Sequence, residues 1–260
     1  MEAIKNNFQH LKGTVLLILV LLVIAEIIWS WSTNKKTYEL KDTFANISIF
    51  IGFQISKLLF FGLQYSFLNY LANYSILKWN TTKFTFLLTL LSVDFVYYWY
   101  HRLSHKIHFL WAFHLIHHSS LCMNLTVSYR LNWLNTILTP FVLTPLVLIG
   151  FPIEYIILSF AINLLFQFFL HTEAVGKLGI LEGILATPSA HRVHHGSNAV
   201  YIDKNFGGIL MIWDKLFGTY QKETETPVYG TTKGFISNNP FVLNFKGFVD
   251  YFKGKMDYKG

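Results

Sequence analysis

The chain has 260 residues, of which 53% are hydrophobic, 18% aromatic and 13% charged, about half the charged fraction of an ordinary soluble domain. A single cysteine, Cys122, excludes an internal disulfide framework and any cysteine-ligated zinc or iron–sulfur centre. The net charge of +7 is spread between and after apolar segments instead of forming one patch with interleaved aromatics. That argues against a nucleic-acid surface and fits the flanks of a membrane protein.

No Pro/Gly/Ser-rich linker, repeat or low-complexity tract interrupts the chain, so one domain over residues 1–260 is expected. The first apolar run, 15–31, is long enough to cross a hydrocarbon core of about 30 Å. A cleaved signal peptide is the rival reading, but Trp29-Ser30-Trp31 is a poor cleavage context. Glu26 inside the run is costly in lipid and is expected to face protein or the interface. A second span is expected over 47–72 around Lys57, and a third over 84–100, ending in the interfacial aromatics Tyr97-Tyr98-Trp99-Tyr100. Two further stretches, 135–149 and 153–170, flank Gly150-Phe151-Pro152 and read as a helical hairpin whose two ends emerge on one face. The segments 101–134 and 171–222 then form a cap at that face, and the tail after Glu223 carries no signal. Lys35, Lys36, Lys41, Arg102, Lys106, Arg130 and the C-terminal region share the cap's side, against Lys5, Lys12, Lys78 and Lys83 on the other. The positive-inside rule puts that cap in the cytoplasm. The expected architecture is an all-α, multi-pass membrane bundle with a cytosolic, histidine-rich di-metal cap, in the inner membrane of a bacterium or the endoplasmic reticulum of a eukaryote.

Ten of the eleven histidines fall between positions 101 and 195. Eight form three patterns: His101-x-x-x-His105, His114-x-x-His117-His118 and His191-x-x-His194-His195. Positions three and four apart share a helix face, so each pattern turns two or three imidazoles toward a common point. One zinc ion is satisfied by about four ligands, so eight imidazoles imply two metal ions. His10 and His108 fall outside the patterns and read as ordinary polar residues. Asp94 lies on the face of His101 and His105, where it can hold an imidazole in one tautomer. His171, followed by Glu173, is a further ligand candidate, and Glu173 a catalytic carboxylate candidate. Asn124 and Arg130, just after the second pattern, are candidates to meet a lipid head group, and Trp213-Asp214 to close the site. There is no HExxH zincin motif, Gly-rich phosphate loop, GxSxG elbow or Glu-x-x-His pair. An all-nitrogen dinuclear site in a membrane points to oxygen activation against a lipid C–H bond. A metal transporter, which needs ligands along the bilayer depth, and a bis-histidine haem protein, which leaves most of these histidines unused, are the alternatives.

The stretches DFVYYWYHRLSH, WAFHLIHHSS and TPSAHRVHHG resemble the fatty acid hydroxylase/sterol desaturase superfamily over about residues 84–220. Within it, the HTE element, HRVHHG, IDKN-x-x-G and IWDKxFGT are similar to the alkylglycerol monooxygenase branch. The resemblance implies two iron ions held by His101, His105, His114, His117, His118, His191, His194 and His195, with His171 a further ligand. It also implies a lipid substrate, O2, and an external electron donor, tetrahydrobiopterin or an electron-transfer protein. Sterol, carotenoid, sphingoid and fatty acyl substrates are equally open to the matched motifs, and desaturation is as open as hydroxylation.

Overall fold

A computed structural model describes the backbone of residues 2–256 and the side chains of 13–256; the side chain of His10 lies outside the described residues. Among these residues nine α-helices follow in order and no named strand occurs: α1 (Glu2–Ser32), α2 (Leu40–Ala72), α3 (Lys83–Lys106), α4 (His108–His114), α5 (Asn135–Ile149), α6 (Ile153–Phe168), α7 (Pro188–His195), α8 (Ile212–Leu216) and α9 (Pro240–Phe252). The all-α membrane-bundle expectation holds. The segment Gly13–Ser32 of α1 and the whole of α2 are long and apolar enough to cross a bilayer.

Helix starts follow their caps. Glu39 accepts from Asp42 N–H (3.1 Å), which begins α2 seven residues before the apolar run expected from 47. Thr82 caps α3 by accepting from Thr85 N–H, and α3 continues past the expected end at 100 to carry His101 and His105. Helix α5 contains Pro140, which cannot donate to Thr136 O four residues back. Gln64 Nε2 of α2 donates to that carbonyl instead, so the broken ladder becomes an interhelical bond.

Helices α2, α3, α5 and α6 enclose the core of Leu68, Val93, Leu143, Leu146, Val147, Phe151, Ile153 and Ile156. The 15 and 16 residues of α5 and α6 span about 22 and 24 Å, less than a hydrocarbon core of about 30 Å. Their turn still reaches the α2–α3 loop at the end of α3 remote from His101. There Ile76 N–H donates to Leu148 O (2.8 Å) and Trp79 N–H to Gly150 O (3.3 Å). Gly150, at φ +103, packs against the Leu77 carbonyl where a Cβ has no room. The hairpin therefore returns the chain to the histidine end, as its sequence predicts.

Glu26 finds its partners at that end. It is 5% exposed and accepts from Tyr38 O–H (2.5 Å), Leu125 N–H (2.8 Å) and the Thr172 hydroxyl. Its costly carboxylate pins the first helix to the segments that follow the second histidine pattern and His171.

Candidate metal centre

His101 and His105 sit one turn apart on α3, His114 ends α4, and His117 and His118 lie in the short 3-10 turn that follows. His171 follows α6 directly, and α7 carries His191, His194 and His195. All nine converge, in two groups. His101, His105, His114, His118 and His194 form one; His117, His171, His191 and His195 form the other, and the donor atoms within each lie within 4.8 Å of one another. His108 belongs to neither group.

The three patterns are thus interleaved and do not each serve one point, as the spacing alone had suggested. At about 100° per residue, positions 0 and +4 of a helix differ by about 40°, whereas +3 falls about 60° to the other side. On α7 this sends His191 and His195 to the four-histidine group and His194 to the five-histidine group. His114 and His118 likewise stay together while His117 departs.

The donor set fits metal. Nε2 atoms approach one another at 3.1 Å (His101–His114), 3.1 Å (His114–His118), 3.2 Å (His117–His171), 2.9 Å (His171–His191) and 3.1 Å (His191–His195). A metal–nitrogen bond of about 2.1 Å separates adjacent donors by about 3.0 Å in an octahedron and about 3.4 Å in a tetrahedron. The buried Nε2 atoms of His105 and His194 have no hydrogen-bond partner, a cost that a metal bond would remove. Burial lowers the basicity of all nine imidazoles: His101 and His171 fall to about 4, and the other seven well below the usual histidine range because neighbouring rings add repulsion. The rings are neutral at pH 7, the state a metal requires.

Three rings are fixed from behind by backbone carbonyls. His101 Nδ1–H donates to Phe206 O (2.9 Å), His194 Nδ1–H to Lys204 O (3.0 Å) and His171 Nδ1–H to Gln167 O (2.8 Å). A carbonyl only accepts, so each Nε2 lone pair is left facing inward. The loop supplying two of these carbonyls holds Asp203 (φ 59) and Asn205 (φ 58) in the left-handed region, which Asp and Asn tolerate better than most residues. These alternate turns bring both Lys204 O and Phe206 O to the rings. Asn205 is locked by bonds to Ala190 O, Gln221 O and Gln221 N–H. Asp214, fully buried, accepts from Phe206 N–H (2.7 Å), Gly207 N–H (2.7 Å) and Thr219 Oγ1 (2.6 Å), which orients the peptides around the carbonyl behind His101. Arg192 of α7 grips Glu223 with two 2.8 Å bonds and donates to Thr172 O and Val175 O. Burial alone would raise the Glu223 carboxyl; the Arg192 bonds and charge outweigh it and hold it below its usual range.

Four sequence expectations change. Asp94 touches no imidazole: it accepts from Asn163 Nδ2 (2.8 Å), Ile209 N–H (2.7 Å), Leu210 N–H (3.1 Å) and Trp213 Nε1–H (2.9 Å), so it anchors the loop after the ligand-bracing carbonyls. Trp213-Asp214 therefore lies behind the site, not over it. Glu173 is half-buried in a polar cleft with Arg192, Glu223 and Tyr229 and belongs to neither histidine group. Asn124 and Arg130 are both fully buried, with their polar groups spent inside the protein. Arg130 donates to Asp42 (2.5 Å), Asn46 (2.5 Å) and Ser119 (2.8 Å), and Asn124 to Thr37 O (2.6 Å) while accepting from Thr126. Three of its five N–H donors are spent there and the side chain is fully buried, away from any head group; it braces the turn next to His118.

The comparisons agree with this geometry. Residues 86–219 match the family model described as fatty acid hydroxylase, and the chain belongs to that family. It is 39% identical to alkylglycerol monooxygenase of Homo sapiens over 86% of this chain and 51% of that protein. It is 36% identical to the Xenopus tropicalis protein of the same name over 90% of this chain and 52% of that protein. Ornithine lipid hydroxylase OlsE of Rhizobium tropici is 29% identical over 63% of this chain and 52% of its own. The chain spans about half the length of the curated relatives it matches. No solved structure matches it significantly.

Proposed function

We propose that the chain is a membrane-bound di-iron lipid monooxygenase, acting on an alkylglycerol-type lipid with O2 and an external reductant. The observation that carries this reading is the convergence of nine neutral imidazoles in two groups beside a largely apolar cavity, lined by His114, His117 and His171 together with Phe53, Phe160, Leu164 and Phe168. His101, His105, His114, His118 and His194 would hold one iron ion and His117, His171, His191 and His195 the other. Bound there, iron supplies the activation of O2 that an unactivated C–H bond requires. The chain's own share is placement: the Phe206, Lys204 and Gln167 carbonyls orient His101, His194 and His171, the buried walls exclude bulk water, and the apolar lining takes the lipid. Imidazole is borderline-soft and also suits zinc and copper, so metal identity rests on the redox chemistry of the relatives. Two buried shells of five and four ligands favour a resident centre over a transport path, in which ions must also leave. The histidine end would face the cytoplasm, with the spans 15–31, 47–72, 84–100, 135–149 and 153–170 in the bilayer.

The test is anaerobic reconstitution with ferrous iron, followed by incubation with 1-O-hexadecylglycerol, a reductant and 18O2. Two iron atoms per chain and one 18O in the lipid product are expected. One metal per chain, or product oxygen derived from water, would overturn the reading.

A further inference from the structure

The cavity beside the histidines, ≈ 110 Å³, is followed by a second of ≈ 210 Å³ among α2, α5 and α6, lined by apolar residues such as Leu68, Pro140, Leu143 and Ile157. Phe53, Thr139, Phe160 and Leu164 line both, so these four side chains are the partition between them. The first cavity also contains Asn135, whose Oδ1 is buried without a hydrogen-bond partner. An unsatisfied buried acceptor costs about 1–3 kcal/mol and calls for a reason.

No donor lining the cavity reaches that oxygen, and His117 Nδ1, which lines it too, is itself buried without a partner. Ser128 donates to Leu125 O (2.6 Å), Thr139 to the main-chain carbonyl of Asn135 (2.7 Å), Tyr97 to Gln167 (2.8 Å) and Gln167 to Asn163 (2.6 Å). His171 Nδ1–H is committed to Gln167 O. No lining side chain supplies the missing proton, which leaves the acceptor open to a ligand hydroxyl in the cavity.

We propose that Asn135 Oδ1 accepts a hydrogen bond from a hydroxyl of the lipid, and that the lipid's single aliphatic chain runs from this cavity past Phe53 and Phe160 into the second one. This deepens the function proposed above and rests on it for the choice of lipid. Asn135 is a positioning residue: it holds the polar end of the lipid at the histidines while the chain is drawn into the bilayer-level cavity. With four side chains between the two cavities, one unbranched chain needs less displacement of the partition than a fused ring system.

The experiment uses the full chain in lipid nanodiscs and a 1-O-hexadecylglycerol probe carrying a diazirine near the end of its chain. Photolabel is expected on the α5 and α6 peptides bearing Leu143 and Ile157. Label on outward residues such as Leu58 or Leu87, exposed on the bundle, would overturn the chain path. As competitors, 1-O-hexadecylglycerol should displace the probe about 3–10-fold better than its dimethyl ether, the worth of one neutral hydrogen bond. Asn135→Leu should abolish that preference. Asn135→Asp, which keeps the acceptor, should retain it, and decides the matter if the leucine variant does not fold. Equal competition on the wild-type protein means that water satisfies Asn135, and a preference surviving Asn135→Leu means that it is steric; either overturns the proposal. A wild-type protein that shows the preference but leaves the lipid unoxidised would sink the monooxygenase reading and not this site.

Discussion

Asp214→Asn separates positioning of a ligand from mere folding. Asp214 Oδ1 accepts from Phe206 N–H and Thr219, and Oδ2 from Gly207 N–H. The best-placed amide keeps its oxygen at the first position and sets its NH2 against the Gly207 donor. One charge-assisted bond of about 1.5–3 kcal/mol is lost, and the other two drop to neutral strength, about 0.5–1.5 kcal/mol each. The total is about 3.5–6 kcal/mol. The strain falls on the peptides flanking Phe206, whose carbonyl fixes His101. Loss of a ligand's outer partner typically weakens metal binding about 10–100-fold, or about 1.4–2.7 kcal/mol; the rest should appear as lower stability of the metal-free protein. Anaerobic ferrous titration against a chromophoric chelator reads the first, and the thermal midpoint of the metal-free protein reads the second. Metal affinity within about threefold of wild type, alongside a lowered midpoint, would refute the claim that Asp214 acts on His101.

Alanine at His105 or His194, and separately at His191 or His195, should each remove about one of two bound metal ions and abolish lipid oxidation, whereas His108→Ala should leave both intact; metal analysis and product yield decide this. Arg130→Met should destabilise the protein by about 3–5 kcal/mol by leaving Asp42 buried and unpaired, while the double variant with Asp42→Asn should recover part of that loss in a thermal-shift measurement. Asp94→Asn should lower the thermal midpoint with little change in metal affinity, because its four donors belong to the loop and to Asn163 and none to an imidazole. A cysteine introduced at Ser197 should be shielded from an impermeant thiol reagent in intact cells and labelled after permeabilisation; labelling from outside would reverse the proposed orientation.

The histidines were legible because imidazoles at three- and four-residue spacing are costly in an apolar chain unless something holds them. The hairpin was legible from Gly150 and Pro152 between two apolar runs. The partition of the imidazoles was not, because His117 and His194 depart from their neighbours by a rotation of about 100° relative to the +4 position, which a shared-face argument smooths over. The outer shell escaped for a different reason. Seven residues of spacing put Asp94 on the face of His101, and sequence reasoning reaches first for a carboxylate, yet the groups behind His101, His194 and His171 are main-chain carbonyls, which every residue has. The only sequence trace was Asp203 and Asn205, two residues that tolerate left-handed backbone. Arg130 misled for a related reason: a cation beside a predicted site suggests a ligand until its partners, Asp42 and Asn46 about 85 residues away, are brought against it by the fold.

The all-imidazole make-up of the two groups sets a charge problem that the rest of the fold answers. Neither histidine group among the described residues includes a carboxylate, so nine neutral rings would offer no charge against the proposed metal ions, and burial makes an uncompensated charge expensive. The acids stand one step back. Asp214 lies behind the Phe206 peptide that holds His101, and Asp203 Oδ1 lies 4.0 Å from His105 Nδ1 while its other oxygen pairs with Lys106 at 2.5 Å. Both serve the five-histidine group. On the four-histidine side, His171 is followed by Thr172, whose hydroxyl donates to Glu26 of α1, and Arg192, beside His191, pairs with Glu223. Compensation is therefore unequal: the five-histidine group has more nitrogen donors, with Asp203 4.0 Å from one of its rings, whereas both groups border the cavity, one through His114 and the other through His117 and His171. Under the proposed function, a metal at the four-histidine group would have fewer protein ligands, and one at the five-histidine group, with Asp203 and Asp214 behind it, would be the more firmly held.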